Sequence, residues 1–298
     1  MEMNGTFLPH KILQKVHDRM DNQILHPGLY IVSTPIGNIL DITLRALFIL
    51  QNSFCIFAED TRVSRHLLDF YGINAKIISC DNYREMYKKN LELIDNNRDK
   101  IFAIITDAGT PLISDPGYKI TNWCMQNNIR IFPVPGACSA IAALSVSGCC
   151  SDNFFFYGFL PQKKNARITA LNELKNTKSS IIFFESPNRV LNTLTDIFDI
   201  FGDRYLFIGR EMTKLNEEYV RNRISTLIEK YKEEKCIGEF VIIVDKNDTN
   251  ESEEKFDVLE ILKKQLEENT LKDAVMNVHE ITGINKKKIY ALALELKN

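Results

Sequence analysis

The sequence predicts an α/β fold with a parallel sheet covered on both faces, and three observations carry that expectation. Short runs that are apolar throughout alternate with helix-compatible segments, the pattern of strands buried on both faces. Several of these runs end in corners rich in Gly and Pro. A tract with no apolar residue, DKNDTNESEEK at 245–255, then separates the alternation from a helical tail.

Taken in order, GLYIVST (28–34) reads as the first strand, followed by PIGN and a helix near TLRALFILQ. SFCIFAE is the second strand, with the helix TRVSRHLLDFYG closing at Gly72. AKIIS is the third strand and REMYKKNLELIDNNRD a polar, amphipathic helix. KIFAIIT is the fourth strand. Its corner, DAGTPLISDPG (107–117), packs two Gly, two Pro and two Asp ahead of the helix YKITNWCMQNN. IRIFPV is the fifth strand, and the apolar helix CSAIAALSVSG ends at Gly148. A second β/α series follows: NFFFYGF, NARITALNELKN, SSIIFFE, NRVLNTLTDIFDIFG, RYLFIG, ISTLIEKYKEEK and GEFVIIV. Beyond the polar tract come FDVLEILKKQLEE and two short helices around TGIN. The expected organisation is an N-terminal extension at 1–27, α/β domains at 28–150 and 151–245, a linker at 246–255 and a small helical region at 256–298.

Composition bounds the chemistry. A chain of 298 residues, 45% hydrophobic and 26% charged, has room for two ordinary domains with their own cores. Its longest apolar runs, IIFF and FVIIV, are too short to span a bilayer, and MEMNGTFLPHKILQKVHDRM has no signal-type apolar region, which points to the cytoplasm. The seven Cys are odd in number with no C-x-x-C pair, and the five His are scattered, so neither a disulfide framework nor a metal site is expected. A net charge of −2 makes no global case for nucleic acid, so any RNA-binding surface must be a local patch.

Ligands of open α/β sheets bind beyond the carboxyl ends of the strands. Four such ends stand out: STPIGN (33–38), AEDTR (58–62), TDAGTP (106–111) and VPGACS (134–139). Gly and Pro at one such corner are ordinary turn chemistry. Recurring at three of these four ends, with AEDTR beside them, they describe a pre-organised pocket wall that a ligand can approach closely. No G-x-x-x-x-G-K-[ST] or G-x-G-x-x-G is present, so the wall suits a ligand with a nucleoside but no phosphate.

These loops carry a family resemblance. LYIVSTPIGNILDITLRAL, AEDTRVSRHLL, ITDAGTPLISDPGY, VPGACSAIAALSVSG, GFLPQKK, FFESPNRV and GREMTK occur in this order over about 28–244. Together they closely resemble the bacterial ribosomal RNA small subunit methyltransferase I family, of the tetrapyrrole-methylase-like (class III) methyltransferases. The tail LKDAV…ITGINKKKIYALALEL resembles the family's small C-terminal helical region. The resemblance implies two α/β domains with S-adenosylmethionine in the cleft between them. It implies methylation of a cytidine ribose 2′-hydroxyl in the decoding region of 16S rRNA, as free RNA or in the small subunit, by a homodimer. It implies cofactor contacts from Pro35 and Gly37, from Asp107, Gly109, Thr110 and Pro111, and from Cys138 and Ser139. There are departures. The His-rich stretch that members carry after the third strand is replaced by SCDNYREMY, where Tyr83 and Arg84 are candidates for its role. The usual Gly-Pro after the fifth strand is Gly136-Ala137, and EMTK replaces ELTK.

A ribose hydroxyl must lose its proton as it attacks, so a general base is sought among loop carboxylates and amines. Glu59 and Asp60 lead, with Glu185, Glu211 and Lys214 behind them. Each also has a structural reading, Asp60 or Glu59 as a cap for the helix at Thr61, Glu185 as a cap for the helix entered through Pro187, and Glu211 as a partner of Arg210. The sequence leaves the base open. Phosphate contacts are expected from Arg62 and Arg65 beside AEDTR, from Lys163, Lys164 and Arg167 in PQKKNARITALNELKNTK (161–178), and from Arg210 and Lys214, with Arg221 and Arg223 near them. NKKKIY in the tail is a further basic cluster. Two rival readings compete with rRNA methylation: a corrin or porphyrin methylase of the same superfamily, against which AEDTR and GFLPQKK argue, and a non-enzymatic RNA-binding assembly factor, which needs no S-adenosylmethionine.

Overall fold

The computed structural model describes residues 10–80, 84–234, 236–246, 251–282 and 286–297. It divides into two compact units, Met1–Asp245 and Lys246–Asn298.

The first unit holds two five-stranded sheets. A helix, α1 (His10–Asp21), precedes the first. Strands β1 (Gly28–Val32), β2 (Cys55–Ala58), β3 (Ile77–Ser79), β4 (Ile101–Ile105) and β5 (Ile131–Val134) pair in the order β3-β2-β4-β1-β5, all parallel, as the apolar runs predict. Alternate residues of β1 serve opposite faces. Tyr30 and Val32 join a core with α2 (Leu44–Gln51) and α3 (Thr61–Phe70), while Leu29 joins one with α4 (Arg84–Asp95) and α5 (Tyr118–Gln126). β1 and β4 are neighbours, yet the chain leaves β1 toward β2 on one side and β4 toward β5 on the other. That reversal opens a crevice at their carboxyl ends. Tyr83 and the side chain of Arg84, candidates to replace the His-rich stretch, lie outside the described residues.

The second sheet runs β6-β7-β10-β8-β9: β6 (Phe154–Phe159), β7 (Ser180–Glu185), β10 (Phe240–Val244), β8 (Tyr205–Arg210) and β9 (Glu218–Arg223). It is mixed, with β6 and β7 parallel and the other pairs antiparallel. β9 does not show in the apolar pattern because it is an edge strand, EYVRNR, with Tyr219, Arg221 and Arg223 exposed on alternate positions. Helices α7 (Lys164–Leu174), α8 (Val190–Phe201) and α9 (Ile224–Glu233) bury one face of the sheet. The other face packs on α6 (Ser139–Ser147), the helix that leaves β5 of the first sheet. Ala140, Ala143 and Leu144 meet Ile182, Phe207, Val241 and Ile243 there, so a helix of small residues joins the two sheets.

The second unit contains α10 (Glu251–Glu268), α11 (Leu271–Thr282) and α12 (Lys286–Lys297) around Val258, Leu262, Ala274, Val278 and Ile289. α10 begins inside the tract expected as linker. Glu and Lys are good helix formers, so lack of apolar residues removes a packing face without opposing a helix. Thr270 caps α11, accepting from the Asp273 amide and donating to its carboxylate.

Arg167 corrects the expected RNA-binding set. Its guanidinium is buried, with both Nε and Nη2 at 2.6 Å from Asp196 Oδ2 and Nη1 donating to the Gln162 carbonyl. It faces the α7–α8 interior and is not available to phosphate. Removing one partner of a buried pair strands the other charge. Asp196→Ala should therefore lower unfolding free energy by about 3–5 kcal/mol in denaturant titrations, whereas alanine at exposed Lys164 should change it by less than about 0.5 kcal/mol.

Candidate active site

The loops at the β1–β4 crevice are stitched together by backbone and hydroxyl bonds. Thr34 and Gly109 exchange both amide bonds, Thr34 N to Gly109 O at 2.8 Å and Gly109 N to Thr34 O at 3.1 Å. Gly109 sits at φ +87°, and a Cβ there would come 3.3 Å from Ile36. The Thr34 hydroxyl donates to the Thr106 carbonyl, Ser33 and Thr110 hydroxyls are 3.0 Å apart, and Thr110 donates to the Ala137 carbonyl. Gly136 lies so close to Ser33 that a Cβ would meet Ser33 Cβ at 2.8 Å. Three corners thus become one rigid surface.

The β2 corner joins through carboxylates. Glu59 Oε2 accepts from the Thr106 hydroxyl at 2.5 Å and from the Asp107 amide at 3.3 Å. Asp107 Oδ1 accepts from the Asp60 amide at 3.1 Å. The Asp60 carboxylate serves its own helix. It caps α3 by accepting from the Arg62 amide at 2.8 Å and is paired with the Arg62 guanidinium, which holds its carboxyl down at about 2. The capping reading therefore accounts for Asp60, while Arg62, paired with that carboxylate, stays largely exposed.

These loops form one wall of a cavity of about 410 Å³. The opposite wall comes from the second sheet: Phe159 and Phe184, the Glu185–Pro187 corner, Met212, and Gly238–Val241. Of the predicted cofactor contacts, Asp107, Gly109, Thr110, Cys138 and Ser139 line it. Pro35, Gly37 and Pro111 do not, among the described residues. Pro111 is buried beneath the loop. Gly37 is at a seam between the sheets, where a Cβ would come 2.6 Å from Lys214 Cγ, and the Asn38 amide donates to the Thr213 hydroxyl at 2.9 Å. Ile36, between Pro35 and Gly37, lines the wall.

The other candidate bases are braces. Glu185 is fully buried, accepting from the Ser186 amide and the Thr193 hydroxyl, with Arg189 3.2 Å away. Glu211, at φ +50°, accepts from the Glu239 amide and from Lys214, whose charge holds its carboxyl below the usual range. Lys214 also reaches Glu239, and Arg210 pairs with Glu218 at 3.4 Å. Arg65 donates to the Ala75 carbonyl. Lys163 and Lys164 remain exposed, at the start of α7.

The charge of the cavity is one-sided. Glu59, Asp107, Asp115, Glu185 and Glu239 line it, and no Lys or Arg does, among the described residues. Asp115 was not singled out in the sequence, although it lies within DAGTPLISDPG. Leu112 and Ser114 hold left-handed φ values of 72° and 70°, folding that corner back so that Asp115 faces the cavity. Burial pushes the Asp115 carboxyl up to about 6, with Glu59 and Asp107 adding repulsion against the lowering effect of Thr106. Burial likewise raises Asp107.

With this geometry in place, comparison with known proteins is specific. The pattern of the tetrapyrrole (corrin/porphyrin) methylases matches residues 28–228, and that of the RsmI C-terminal HTH domain matches residues 252–297. A solved cobalt precorrin-4 methyltransferase of cobalamin biosynthesis shares the fold at a TM-score of 0.55 and 16% identity, over 73% of this chain and 94% of that one. The class is thus the tetrapyrrole-methylase fold. Within it, the chain belongs to the ribosomal RNA small subunit methyltransferase I family. It is 40% identical to the member from Escherichia coli O157:H7 over 94% of this chain and 99% of that one. It is 44% identical to the Thermotoga maritima member over 72% and 97%, and 41% identical to the Rickettsia prowazekii member over 75% and 80%.

The raised Asp115 carboxyl has a sign that can be checked. An acid whose folded pKa lies above its unfolded value binds protons more readily when folded, so stability falls as pH rises from about 4 to about 6. Asp115→Asn should therefore be the more stable protein at pH 7, by about 1 kcal/mol after allowance for solvent screening. The difference should vanish below about pH 4 in melting curves run across that range.

Proposed function

We propose that this chain is an S-adenosylmethionine-dependent methyltransferase of small-subunit ribosomal RNA, acting on the ribose 2′-hydroxyl of a cytidine in the decoding region. The observation that carries the reading is a cavity lined by Glu59, Asp107 and Asp115, with Glu185 and Glu239 held in ion pairs to Arg189 and Lys214 and no Lys or Arg among its described lining, on a fold whose relatives are methyltransferases by name. Such a lining suits a cationic ligand and repels a phosphate. S-adenosylmethionine, when bound, supplies an electrophilic methyl on a sulfonium. The residues present fit it: Gly109 leaves the wall bare, Asp107 offers a carboxylate, and Cys138 and Ser139 face the same space at the start of α6.

The chain's own groups then prepare the hydroxyl. Asp115 has a basicity near working pH, the condition for an efficient proton acceptor. Glu59 is committed to Thr106 and Asp107 and holds the loop that presents the cofactor wall. Lys163 and Lys164 lie outside the cavity lining and supply the cations that an RNA backbone needs. The family resemblance also implies a homodimer working in the cytoplasm.

The test is to map 2′-O-methylation on 16S rRNA, free and in small subunits, with and without the protein and labelled S-adenosylmethionine. One new methylated cytidine in the decoding region is the expected result. Label appearing on a precorrin and not on RNA, or no binding of the donor, contradicts it. In the same assay Asp115→Asn should lower single-turnover rate by about 10²-fold or more while S-adenosylmethionine binding changes far less. The wild-type rate should rise with pH to a plateau above about 6 as the carboxyl ionises.

A further inference from the structure

The wall contributed by the second sheet contains an aromatic side chain that the cofactor reading does not use. Phe159 ends β6 and lines the cavity, yet it is 53% exposed. A half-exposed aromatic ring in a cavity wall offers a flat face to a partner. Its mounting is specific. The β6–β7 register shifts between Phe156 and Gly158, a bulge of the kind that re-aims a side chain near an active site. Gly158 holds φ +80°, and a Cβ there would lie 2.8 Å from Ser114 Oγ, in the same loop that carries Asp115. Phe184 braces the Phe159 ring edge-to-face at 5.6 Å, and Phe156 braces Phe184 at 5.0 Å. Just beyond, Arg189 fixes the chain by donating to the Leu160 carbonyl at 2.7 Å.

We propose that Phe159 is the surface on which the base of the target nucleotide stacks, after that nucleotide is drawn out of its RNA helix into the cleft. The inference rests on the functional reading above and adds the element that holds the substrate. Charge determines what enters. The acidic lining repels phosphates, so a base and its ribose enter while the backbone stays outside. Exposed Lys163 and Lys164 follow Phe159 by four and five residues and offer charges for that backbone. An unstacked base finds a new stacking partner in an aromatic ring, which is how single-stranded RNA is commonly held. Base stacking also explains why the ring is rigidly mounted: a reacting hydroxyl must be positioned to a fraction of an ångström.

Two measurements on the full chain test this. The first is steady-state methylation of whichever substrate the wild type modifies, free rRNA or small subunits, by Phe159→Ala, Phe159→Leu and Phe159→Tyr. Ala and Leu should both lower kcat/KM by about 5-fold to 100-fold, Leu failing because it keeps bulk without a π face. Tyr should stay within about threefold, and calorimetry should find S-adenosylmethionine affinity unchanged in all three. The second is binding of a decoding-region RNA fragment with the target base present or removed. Losing the base should weaken binding to wild type but not to Phe159→Ala. Full activity in Phe159→Leu, or equal loss on base removal in wild type and Phe159→Ala, overturns the proposal. A wild type that methylates no RNA overturns the functional reading itself, an outcome distinct from either of these.

Discussion

The paired amide bonds between Thr34 and Gly109 are the constraint on which the site depends. They join the corners of two neighbouring strands whose chains depart in opposite directions. Only a residue tolerant of φ +87° serves at 109 without strain, and the absent side chain leaves the surface bare. From this pair the order spreads: Thr34 to Thr106, Thr106 to Glu59, Thr110 to Ser33 and Ala137. Ile36, packed over Gly109, belongs to the same core as α6 and the second sheet. The cavity wall and the joint between the sheets are therefore parts of one packed structure.

Charge is sorted around that structure. Acids face the cavity, while several of the basic residues near it are already committed. Arg62 serves Asp60, Lys214 bridges Glu211 and Glu239, and Arg167 is buried with Asp196. Lys163 and Lys164 stay exposed. A near-neutral chain thus combines an acidic cavity lining with exposed lysines at the start of α7. On the proposed reading, this division lets one cleft take both a cationic donor and an anionic substrate, because the phosphates need never enter.

Much of this was legible in the residues. Continuous apolar runs gave the parallel sheet because strands buried on both faces have no polar side to show. The Gly/Pro corners gave the cavity's first wall, since bare backbone leaves a mark in composition. Side-chain direction was not legible. Arg167 reads as one more cation in a basic run, and only the packing of α7 on α8 turns it inward to Asp196. Gly37 looks like a cofactor glycine, but its closeness to Lys214 spans about 180 residues that local pattern cannot connect. Asp115 lies inside the conspicuous loop and is hidden by its ordinary turn chemistry, because its place in the cavity comes from the fold-back at Leu112 and Ser114. The antiparallel half of the second sheet was hidden for a similar reason: an apolar run does not reveal the direction of its neighbour.

On the proposed function, the rigid, pre-stitched wall at the β1–β4 crevice receives S-adenosylmethionine. Hydrogen–deuterium exchange with and without the donor tests it most directly. The Thr34 and Gly109 amides should already be strongly protected in the free protein, because each is bonded to the other's carbonyl. Adding S-adenosylmethionine should extend protection to amides in 106–111 and 136–139 and leave exchange in β9 unchanged. Rapid exchange at Thr34 and Gly109 in the free protein, or protection by the donor confined to other segments, would contradict it.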